Sequence, residues 1–326
     1  MKVSILVTYY NQEKFVERSL NSIFSQNLNC DYEVLVGDDG SQDSTCKFVN
    51  EFSEKHKDKI RLFIQERDVD KKYNSIERAS YNRLNLLKNA RGEYVCFLDG
   101  DDEYCDFNWI QEACDILDKN KNLSGVAHKY CNCFYNGKML TPAGIKKTTR
   151  VTAKMYAKKF YTPVGTILFR NKFSDADYNM LKSLKSFDDN DITFYFLNFG
   201  DIYCRDKIVY NYYQNENSIW NSADTFERNL INAIDYEILL KISTFHNELF
   251  LKYFSNLYHV YKNKERLQEA LFTKYLVQTQ GDGLLIKLFK WDELTEKEKN
   301  KINRSMKIKR LYYYFIKLLN VFDFLS

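Results

Sequence analysis

The sequence predicts an α/β fold in which a mostly parallel sheet is flanked by helices, followed by a helical C-terminal extension. Up to about residue 104, short apolar runs alternate with segments of helical periodicity, the pattern of parallel strands joined by covering helices. Two acidic clusters, at 36–44 and 97–104, each follow such an apolar run. Open α/β sheets bind ligands at the carboxyl ends of strands, so both clusters are predicted to lie at a binding site.

The first hundred residues divide into four predicted strands with a helix after each of the first three. The strands are 3–8, 33–37, 60–64 and 94–98. Asn11 is expected to cap the first helix, whose apolar face consists of Phe15, Val16, Leu20, Ile23 and Phe24. Phe48, Val49 and Phe52 predict the same kind of face on the second helix. The third, about 74–89, buries Ile76, Leu84 and Leu87 and brings Arg78 and Asn82 to one face.

Beyond residue 104 the pattern becomes mixed. A helix near 107–119 precedes a strand-like segment that contains Cys131 and Cys133, and Asn136-Gly137 is a strong hairpin signal. An acidic helix start is predicted at about 188, where negative charge favours the helix dipole. From about 224 nearly every segment is typical of helix, so the predicted division is a domain of 1–220 and a helical region of 221–326.

Composition excludes several classes of protein. A net charge of +4 over 326 residues, with both signs well represented, does not suggest a nucleic-acid binder. The eight cysteines lack the paired spacing of a zinc site and are predicted to be reduced thiols. No secretory leader precedes the strand-like segment at 3–8, and no apolar run is long enough for a membrane span. A cytoplasmic protein is therefore expected, and the alternative is a peripheral protein at the inner face of the cell membrane.

The two acidic clusters need a counter-charge. Five carboxylates at the ends of neighbouring strands repel one another unless a cation or a proton donor meets them, which makes a divalent metal or a nucleotide a natural ligand. The alternative is that they are solvated turn residues, because Asp and Gly both favour turns. Turns alone do not explain two such clusters on consecutive β-α units.

Three segments, in order, resemble the family-2 glycosyltransferases. VSILVTYYN at 3–11 is similar to the family's first strand and nucleotide loop, and VGDDGSQDST at 36–45 is similar to its second-strand motif. ARGEYVCFLDGDD at 90–102 is similar to the segment that holds its Asp-x-Asp metal motif. The resemblance covers about residues 1–220 and implies a Rossmann-like GT-A fold with inverting sugar transfer from a nucleotide sugar.

By this resemblance, Tyr10 would stack on the nucleotide base and Asp39 would accept a hydrogen bond from it. The chemistry agrees, because an aromatic face holds any base whereas a carboxylate selects an edge with an N–H donor, as uracil and guanine have. Arg78 lies at the place of a nucleotide-contacting arginine in some members. The alternative for Arg78 is a solvated helix residue.

Asp99, Gly100 and Asp101 resemble the Asp-x-Asp motif. A divalent ion, Mn²⁺ or Mg²⁺, would offset the charge of the leaving diphosphate. Asp101 is the expected metal ligand, and Asp99 is expected nearer the ribose and at the edge of the metal site. Asp102 is either a further ligand or, as we favour, the cap of the next helix.

The resemblance also assigns the catalytic base. Asp188 and Asp189 match an acidic pair whose second member is the usual base, so Asp189 is expected to remove the acceptor proton during an inverting attack. Clustering with Asp188 and Asp191 is expected to raise at least one pKa, against the effect of the helix N-terminus. The alternative is an acidic helix cap with no chemical role.

Two departures from the family qualify this picture. Asn215 stands where members often carry a histidine, and His128 is expected to be a structural histidine rather than its substitute. The Gln-x-x-Arg-Trp signature of the processive members is absent from the sequence. Addition of a single sugar is therefore expected, rather than polymer synthesis.

The last segment, 299–326, combines a basic stretch with an aromatic and aliphatic one. It is expected either to lie on an anionic membrane surface or to pack on the helical core with a solvated basic edge. The first alternative favours a lipid-linked saccharide as the acceptor, and a glycan is the other expectation.

Two competing functions are an inactive carbohydrate- or partner-binding protein and a sugar nucleotidyltransferase. The latter class usually has a glycine-rich loop after its first strand, which VTYYNQEKF lacks.

Overall fold

The computed structural model describes most of the chain in two compact units, residues 1–216 and 217–326. The residues described are 1–68, 75–141, 148–159, 162–184, 186–214, 224–242, 246–263, 265 and 294–322. Each unit is considered by itself below. The domain division predicted at 220 and 221 stays a prediction.

The described part of the first unit contains one mixed sheet. Its strands are β1 (Val3–Tyr9), β2 (Tyr32–Asp38), β3 (Ile60–Ile64), β4 (Tyr94–Asp99), β5 (Glu103–Tyr104), β6 (Leu123–Cys133), β7 (Met139–Leu140), β8 (Thr149–Val151), β9 (Ile167–Arg170) and β10 (Asp201–Tyr213). The order is β3-β2-β1-β4-β9-β6-β10-β5, with β7 beside β6 and β8 beside β10. The first four strands in the chain run parallel, as predicted.

Helices follow the strands of this sheet. They are α1 (Val16–Phe24), α2 (Thr45–Lys55), α3 (Ser75–Asn89), α4 (Trp109–Lys119), α5 (Ala153–Lys159), α6 (Asp175–Leu184) and α7 (Asp189–Leu197), with a 3-10 turn at Val164–Thr166. The fold-class prediction is therefore confirmed, and the strands and helices predicted before residue 120 differ from the observed ones by one or two residues at most ends. The start of α1, which is discussed below, differs by more.

Strand register brings the two acidic clusters together. Thr8, near the end of β1, lies opposite Gly37 in β2 on one side and opposite Asp99 in β4 on the other. Apolar residues on both faces keep β1 buried, with Ile5, Leu6 and Val7 fully inaccessible to solvent. Parallel pairing on both sides of β1 thus places both motifs at one edge of the sheet.

The prediction that Asn11 caps the first helix is wrong. Helix α1 begins only at Val16, and Asn11 has a backbone φ of +50°, in the left-handed region. Its amide donates to Ser41 Oγ at 2.8 Å, and its side-chain oxygen accepts from the amide of Gln42 at 2.8 Å. Asn11 therefore joins the loop after β1 to the loop after β2, because its short polar side chain tolerates a left-handed turn.

The predicted apolar helix faces are mostly correct. Val16, Leu20 and Ile23 are buried on α1. On α2, Val49 is buried and Phe52 packs against Phe24 with ring centroids 5.5 Å apart. Phe48, in contrast, is 38% exposed, which corrects its placement on the buried face.

The hairpin prediction at Asn136-Gly137 is confirmed. Strands β6 and β7 pair antiparallel on either side of it, and Gly137 has a φ of +79°, a conformation that glycine adopts without steric cost. Cys131 and Cys133 lie in β6 as predicted, and all eight cysteines are free thiols.

The described part of the second unit is helical, as predicted for the region after 224. Its helices are α8 (Thr225–Ile242), α9 (His246–Lys262) and α10 (Glu296–Phe322). Leu230, Leu239, Leu249 and Leu257 are fully buried, and α10 contributes buried Ile302 and Met306. Among the helices described, none combines the length and apolarity required to cross a bilayer.

Candidate active site

Asp39 is the centre of a cationic cluster at the end of β2. Its side chain is 6% exposed, and its amide donates to the carbonyl of Tyr9 at 3.0 Å, which fixes it beside β1. Arg78 on α3 places Nε 2.6 Å from Asp39 Oδ1, and Arg67 forms an ion pair with Oδ2. Burial raises the pKa of Asp39, and the two guanidiniums oppose that rise.

Arg67 also connects Asp39 to Tyr10. The Tyr10 ring is 43% exposed, and the guanidinium carbon of Arg67 lies 3.9 Å from its centroid. Arg67 Nε donates to the backbone oxygen of Asp39 at 2.6 Å, in addition to the side-chain ion pair. The structure thus brings Tyr10, Asp39 and Arg78 together, as predicted, through an arginine that the sequence analysis missed.

Helix α3 presents its polar face to this cluster. The side chain of Arg78 is only 11% exposed, so its alternative assignment as a solvated helix residue is wrong. Asn82, one turn further, is buried and donates from Nδ2 to the carbonyl of Gly37 at 3.0 Å. A Cβ at Gly37 would lie 2.1 Å from Asn82 Oδ1, so a glycine is needed for this close approach of helix to strand.

A second cluster surrounds Arg83, which lies five residues beyond Arg78 on the same helix. Arg83 Nη2 is 3.0 Å from Asp99 Oδ1 at the end of β4. The same guanidinium is 3.2 Å from Asp188 Oδ1 and 3.8 Å from Asp189 Oδ1. One buried cation therefore connects the predicted metal motif with the predicted catalytic pair.

Asp189 lies in the first turn of α7 with a side chain that is 17% exposed. The backbone N–H of Val164, in the 3-10 turn, donates to Asp189 Oδ2 at 3.4 Å. Burial raises the pKa of Asp189 to about 7, the carboxylate of Asp188 adds to the rise, and Arg83 opposes it. The direction of the predicted pKa shift is thus confirmed, but its main cause is burial rather than clustering with Asp188 and Asp191.

The helix cap belongs to Asp188 rather than to Asp189. Asp188 precedes α7 and accepts from the amide of Asp189 at 2.8 Å. Asp191 completes a capping box by accepting from the amide of Asp188 at 3.0 Å, and it also accepts from Ser186 Oγ at 3.1 Å. Because Asp188 and Asp191 perform the capping, the carboxylate of Asp189 is available at the site.

Asp101 and Asp99 carry the donor atoms that suit a divalent cation. Burial and the neighbouring charge of Asp99 raise the pKa of Asp101 to about 6, while Arg18 and Gln12 oppose that rise. A bound cation would relieve both causes, so these residues fit a hard metal ion with oxygen ligands. Within the described residues no set of three or more Asp, Glu, His or Cys side chains converges on one point.

Glycine is required at the centre of this motif. A Cβ on Gly100 would lie 2.1 Å from a Tyr9 ring carbon. The backbone amide of Gly100 donates to the carbonyl of Thr8 at 3.0 Å. Arg18, on α1, donates to the backbone oxygen of Asp101. The Asp-x-Asp loop is thus held against β1 and α1 by packing that leaves no room for a side chain.

The prediction that Asp102 caps the next helix is wrong. Helix α4 begins at Trp109, whereas Asp102 is 1% exposed and accepts from the hydroxyl of Tyr210 and the amide of Tyr213, each at 2.7 Å. Burial and the charges of Asp101 and Asp99 raise its pKa well above the usual range. Asp102 therefore links the end of β4 to β10 inside the protein.

Tyr210 also connects Asp102 to the turn that contacts Asp189. A Cβ on Gly165 would lie 2.3 Å from the Tyr210 ring, so the ring packs directly on the 3-10 turn. His128 holds the other side of that turn, with Nδ1 3.3 Å from the carbonyl of Thr166. His128 is fully buried and burial lowers its pKa to about 4, in agreement with a structural role. Asn215 lies outside the described residues.

Arg67 and Arg83 were not predicted, although the sequence offers one signal for them. The acidic clusters require cations, and arginines near or on the helix that faces them are the natural candidates. Their identity could not be read from spacing, because a single arginine on a helix is common on solvated surfaces.

The fold and the two acidic motifs at one sheet edge define a GT-A type of nucleotide-sugar-binding domain. The sequence matches the family model described as Glycosyl transferase family 2 over residues 4–176. The chain belongs to that family, which confirms the resemblance noted in the sequence.

Curated relatives match part of the chain. A GalNAc(5)-diNAcBac-PP-undecaprenol beta-1,3-glucosyltransferase from Campylobacter jejuni is 28% identical over 187 residues, which cover 54% of this chain and 56% of the relative. The poly(ribitol-phosphate) beta-N-acetylglucosaminyltransferase TarS from Staphylococcus aureus is 28% identical over 197 residues, which cover 58% of this chain and 31% of TarS. The matched region thus spans about half of the first relative and about a third of the second.

Solved structures share the fold over more of the chain. Residues 1–349 of S. aureus TarS, crystallised with UDP, superpose with a TM-score of 0.58 at 22% identity, covering 83% of this chain and 79% of that one. A mannosyltransferase from Pyrobaculum calidifontis, in complex with GDP-Man and Mn²⁺, gives a TM-score of 0.52 at 16% identity, covering 99% and 87%. At these identities the likeness establishes the fold alone.

Proposed function

We propose that this protein is an inverting, metal-dependent glycosyltransferase that moves one sugar from a UDP-sugar to a hydroxyl of a glycan or lipid-linked acceptor. The observation that carries the proposal is Asp189, a buried carboxylate whose pKa is raised to about 7 and which Arg83 connects to Asp99 of the metal motif. A base with a pKa near the working pH is the most effective proton acceptor in an active site.

The base-binding residues are Tyr10, Asp39 and Arg78. An aromatic face, a buried carboxylate and a cation within one cluster suit a uracil ring with its N–H donor. The structures of TarS with UDP and with UDP-GlcNAc support UDP as the nucleotide, because TarS is also a relative by sequence, at 28% identity over 197 residues.

Asp101 and Asp99 would hold the metal. A divalent cation held by these carboxylates would offset the negative charge of the diphosphate as it leaves. The raised pKa of Asp101 supports this assignment, because it reports a carboxylate that lacks sufficient counter-charge. The Mn²⁺ bound by the Pyrobaculum mannosyltransferase, a protein of the same fold, is consistent with it.

Asp189 performs the proton transfer. Its carboxylate accepts the proton of the acceptor hydroxyl while the oxygen attacks the anomeric carbon, and the bond from that carbon to the diphosphate oxygen breaks on the opposite face. The N–H of Val164 and the guanidinium of Arg83 orient the carboxylate. Asp188 shapes the start of α7 and contributes charge that keeps Asp189 basic.

The acceptor is proposed to be part of a surface glycoconjugate. The names of the two relatives describe a lipid-linked glycan and a poly(ribitol-phosphate) as their acceptors. Helix α10 supports an acceptor at a membrane. One face packs through Ile302 and Met306, whereas Ile308 and Leu311 on another face are 66% and 72% exposed.

The exposed face of α10 suits an anionic lipid surface. Lys301, Arg304 and Lys307 are exposed on the same side as Ile308 and Leu311, a combination typical of interfacial helices. Co-sedimentation with vesicles that contain anionic lipid should fall at least about threefold in an Ile308→Glu, Leu311→Glu double variant, because each buried CH₂ contributes about 0.8 kcal/mol. Equal pelleting of the two proteins would contradict the membrane contact.

The proposed activity is tested by hydrolysis of UDP-glucose and UDP-GlcNAc with Mn²⁺. We expect slow release of UDP that is lost in Asp101→Ala and strongly reduced in Asp189→Asn. Asp115→Asn, on the exposed side of α4, is the matched control and should retain the activity. If neither UDP-sugar is hydrolysed and neither raises the unfolding temperature, the proposed transfer from a UDP-sugar is contradicted.

A further inference from the structure

Arg67 occupies the position at which the proposed nucleotide base would make its contacts. Its guanidinium lies 3.9 Å from the centroid of the Tyr10 ring, which is a stacking distance. The same group pairs with Asp39 Oδ2 and donates from Nε to the Asp39 carbonyl at 2.6 Å. These are the ring face and the carboxylate that the proposed function assigns to base recognition.

The guanidinium is chemically similar to the edge of a uracil ring. Both are planar, both stack on an aromatic face, and both present N–H donors to a carboxylate. Arg67 therefore satisfies Tyr10 and Asp39 in the unliganded protein. A base that binds to the same ring face and the same oxygen atoms has to displace it.

Asp39 keeps a counter-charge when Arg67 leaves. Arg78 Nε is 2.6 Å from Asp39 Oδ1, the other oxygen of the carboxylate, and Arg78 reaches it from α3. The buried carboxylate therefore does not become an unpaired charge, which would be strongly unfavourable. Displacement of Arg67 costs its contacts with Tyr10 and Asp39 and leaves the ion pair between Arg78 and Asp39 in place.

We propose that Arg67 closes the base site of the free protein and that the nucleotide base takes its place on Tyr10 and Asp39. Arg67 is then a residue that sets nucleotide affinity by competition. The apparent affinity for UDP equals the affinity of the open site multiplied by the fraction of molecules in which Arg67 is withdrawn. This inference rests on the proposed function, because it uses the same base site.

Calorimetric titration with UDP and Mn²⁺ tests the competition. We expect Arg67→Ala to lower the dissociation constant by about threefold to tenfold, since the site is then open in most molecules. Arg67→Lys keeps the charge but loses the planar stack and should give a smaller gain. Arg150→Ala is the matched control, because it removes an arginine that pairs with Asp201 outside the site, and its affinity should equal that of the wild type.

Inorganic pyrophosphate with Mn²⁺ separates this competition from a general charge effect. It has no base, so Arg67→Ala should bind it as the wild type does. Weaker UDP binding by Arg67→Ala, with a normal unfolding temperature, would overturn the inference, because Arg67 would then contact the bound base rather than compete with it. An equal gain for pyrophosphate would overturn it too. If the wild type and Arg67→Ala both fail to bind UDP, the proposed function itself is contradicted.

Discussion

The two ends of the site have opposite balances of charge. At the end where the nucleotide base is proposed to bind, here called the base end, two arginines, Arg67 and Arg78, pair with the single carboxylate of Asp39. At the end where the proton transfer is proposed to occur, here called the catalytic end, the guanidinium of Arg83 lies near three carboxylates, those of Asp99, Asp188 and Asp189. Both clusters are attached to α3 and to the carboxyl ends of the two strands that flank β1, so the difference arises from side chains rather than from the backbone.

This difference indicates what each end is built to bind. Excess positive charge at Asp39 requires no further cation, and a neutral base with N–H donors can exchange with an arginine there. At the other end, burial and the neighbouring carboxylates together raise the pKa of Asp101 to about 6 and that of Asp189 to about 7. A divalent cation and protons are therefore attracted to the same end, where the chemistry is proposed to occur.

The largest expected effect is on the rate when Asp189 becomes Asn. The change keeps the shape of the side chain and removes the proton acceptor, so kcat should fall by about 10²–10⁴. UDP affinity should stay within about twofold of the wild type, since the base end does not contain Asp189. Steady-state kinetics and UDP titration measure both. A variant that retains more than about a tenth of the rate would show that another group is the base.

Loss of the Tyr210 hydroxyl should destabilise the catalytic end. Tyr210→Phe leaves the buried carboxylate of Asp102 without one of its donors, at a cost of about 1–3 kcal/mol in the free energy of unfolding. Tyr213→Phe is the control, because its hydroxyl binds Glu103 while its backbone amide still donates to Asp102. Urea denaturation compares the two variants. Equal losses of unfolding free energy in the two variants would contradict a specific stabilising role of the Tyr210 hydroxyl at Asp102.

Removal of Arg83 should shift the pH dependence of the reaction. Arg83 opposes the rise in the pKa of Asp189, so Arg83→Gln should raise that pKa above about 7. Because the base acts in its deprotonated form, the ascending limb of the pH–rate profile should move to higher pH by about one unit. This corresponds to a loss of about 1.4 kcal/mol in the interaction that favours the charged form of Asp189. Arg91→Gln, outside both clusters, should leave the limb in place. A limb that does not move in Arg83→Gln would contradict the electrostatic coupling.

The smallest expected effect is a gain in stability for Asp101→Asn without metal. The native pKa of Asp101 is about 6 rather than the ordinary 3.8, so the folded protein binds this proton more tightly than the unfolded chain does. The charged carboxylate then destabilises the fold as pH rises from about 4 to 6. The shift corresponds to at most about 3 kcal/mol, and solvent screening of this half-buried group reduces the cost toward about 1 kcal/mol.

Thermal unfolding in EDTA at pH 4 and pH 8 measures this gain. Asp101→Asn should unfold at a higher temperature than the wild type at pH 8 and at nearly the same temperature at pH 4. Addition of Mn²⁺ at pH 8 should stabilise the wild type more than the variant. A variant that is less stable than the wild type at pH 8 would show that Asp101 is already sufficiently compensated in the folded protein.

Sequence patterns predicted the backbone of the site but not its ion pairs. Apolar runs before Asp39 and before Asp99 fixed the strand ends, because a buried parallel strand must reach an edge where polar groups can be solvated. Position in the chain cannot show which arginine reaches which carboxylate. Arg78 and Arg83 lie five residues apart on α3, yet they serve different clusters.

Acidic residues near helix starts were the hardest to assign. Asp102, Asp188 and Asp189 have the same side chain, and each could cap a helix or perform another role. In the structure Asp188 is a cap, Asp102 is held by Tyr210 from a strand about a hundred residues away, and Asp189 contacts Arg83. Only the tertiary packing distinguishes them, because the partners are distant in sequence.

The central claim is that the base end, at Asp39, binds the nucleotide base and the catalytic end, at Asp101, holds the metal. A comparison of uridine with UDP tests it most directly. Calorimetric titration of the wild type, Asp39→Asn and Asp101→Asn with each ligand, with and without Mn²⁺, separates the two ends. We predict that Asp39→Asn weakens both ligands, whereas Asp101→Asn removes only the Mn²⁺-dependent gain for UDP. Loss of uridine binding in Asp101→Asn, or a full Mn²⁺ gain in that variant, would contradict the division.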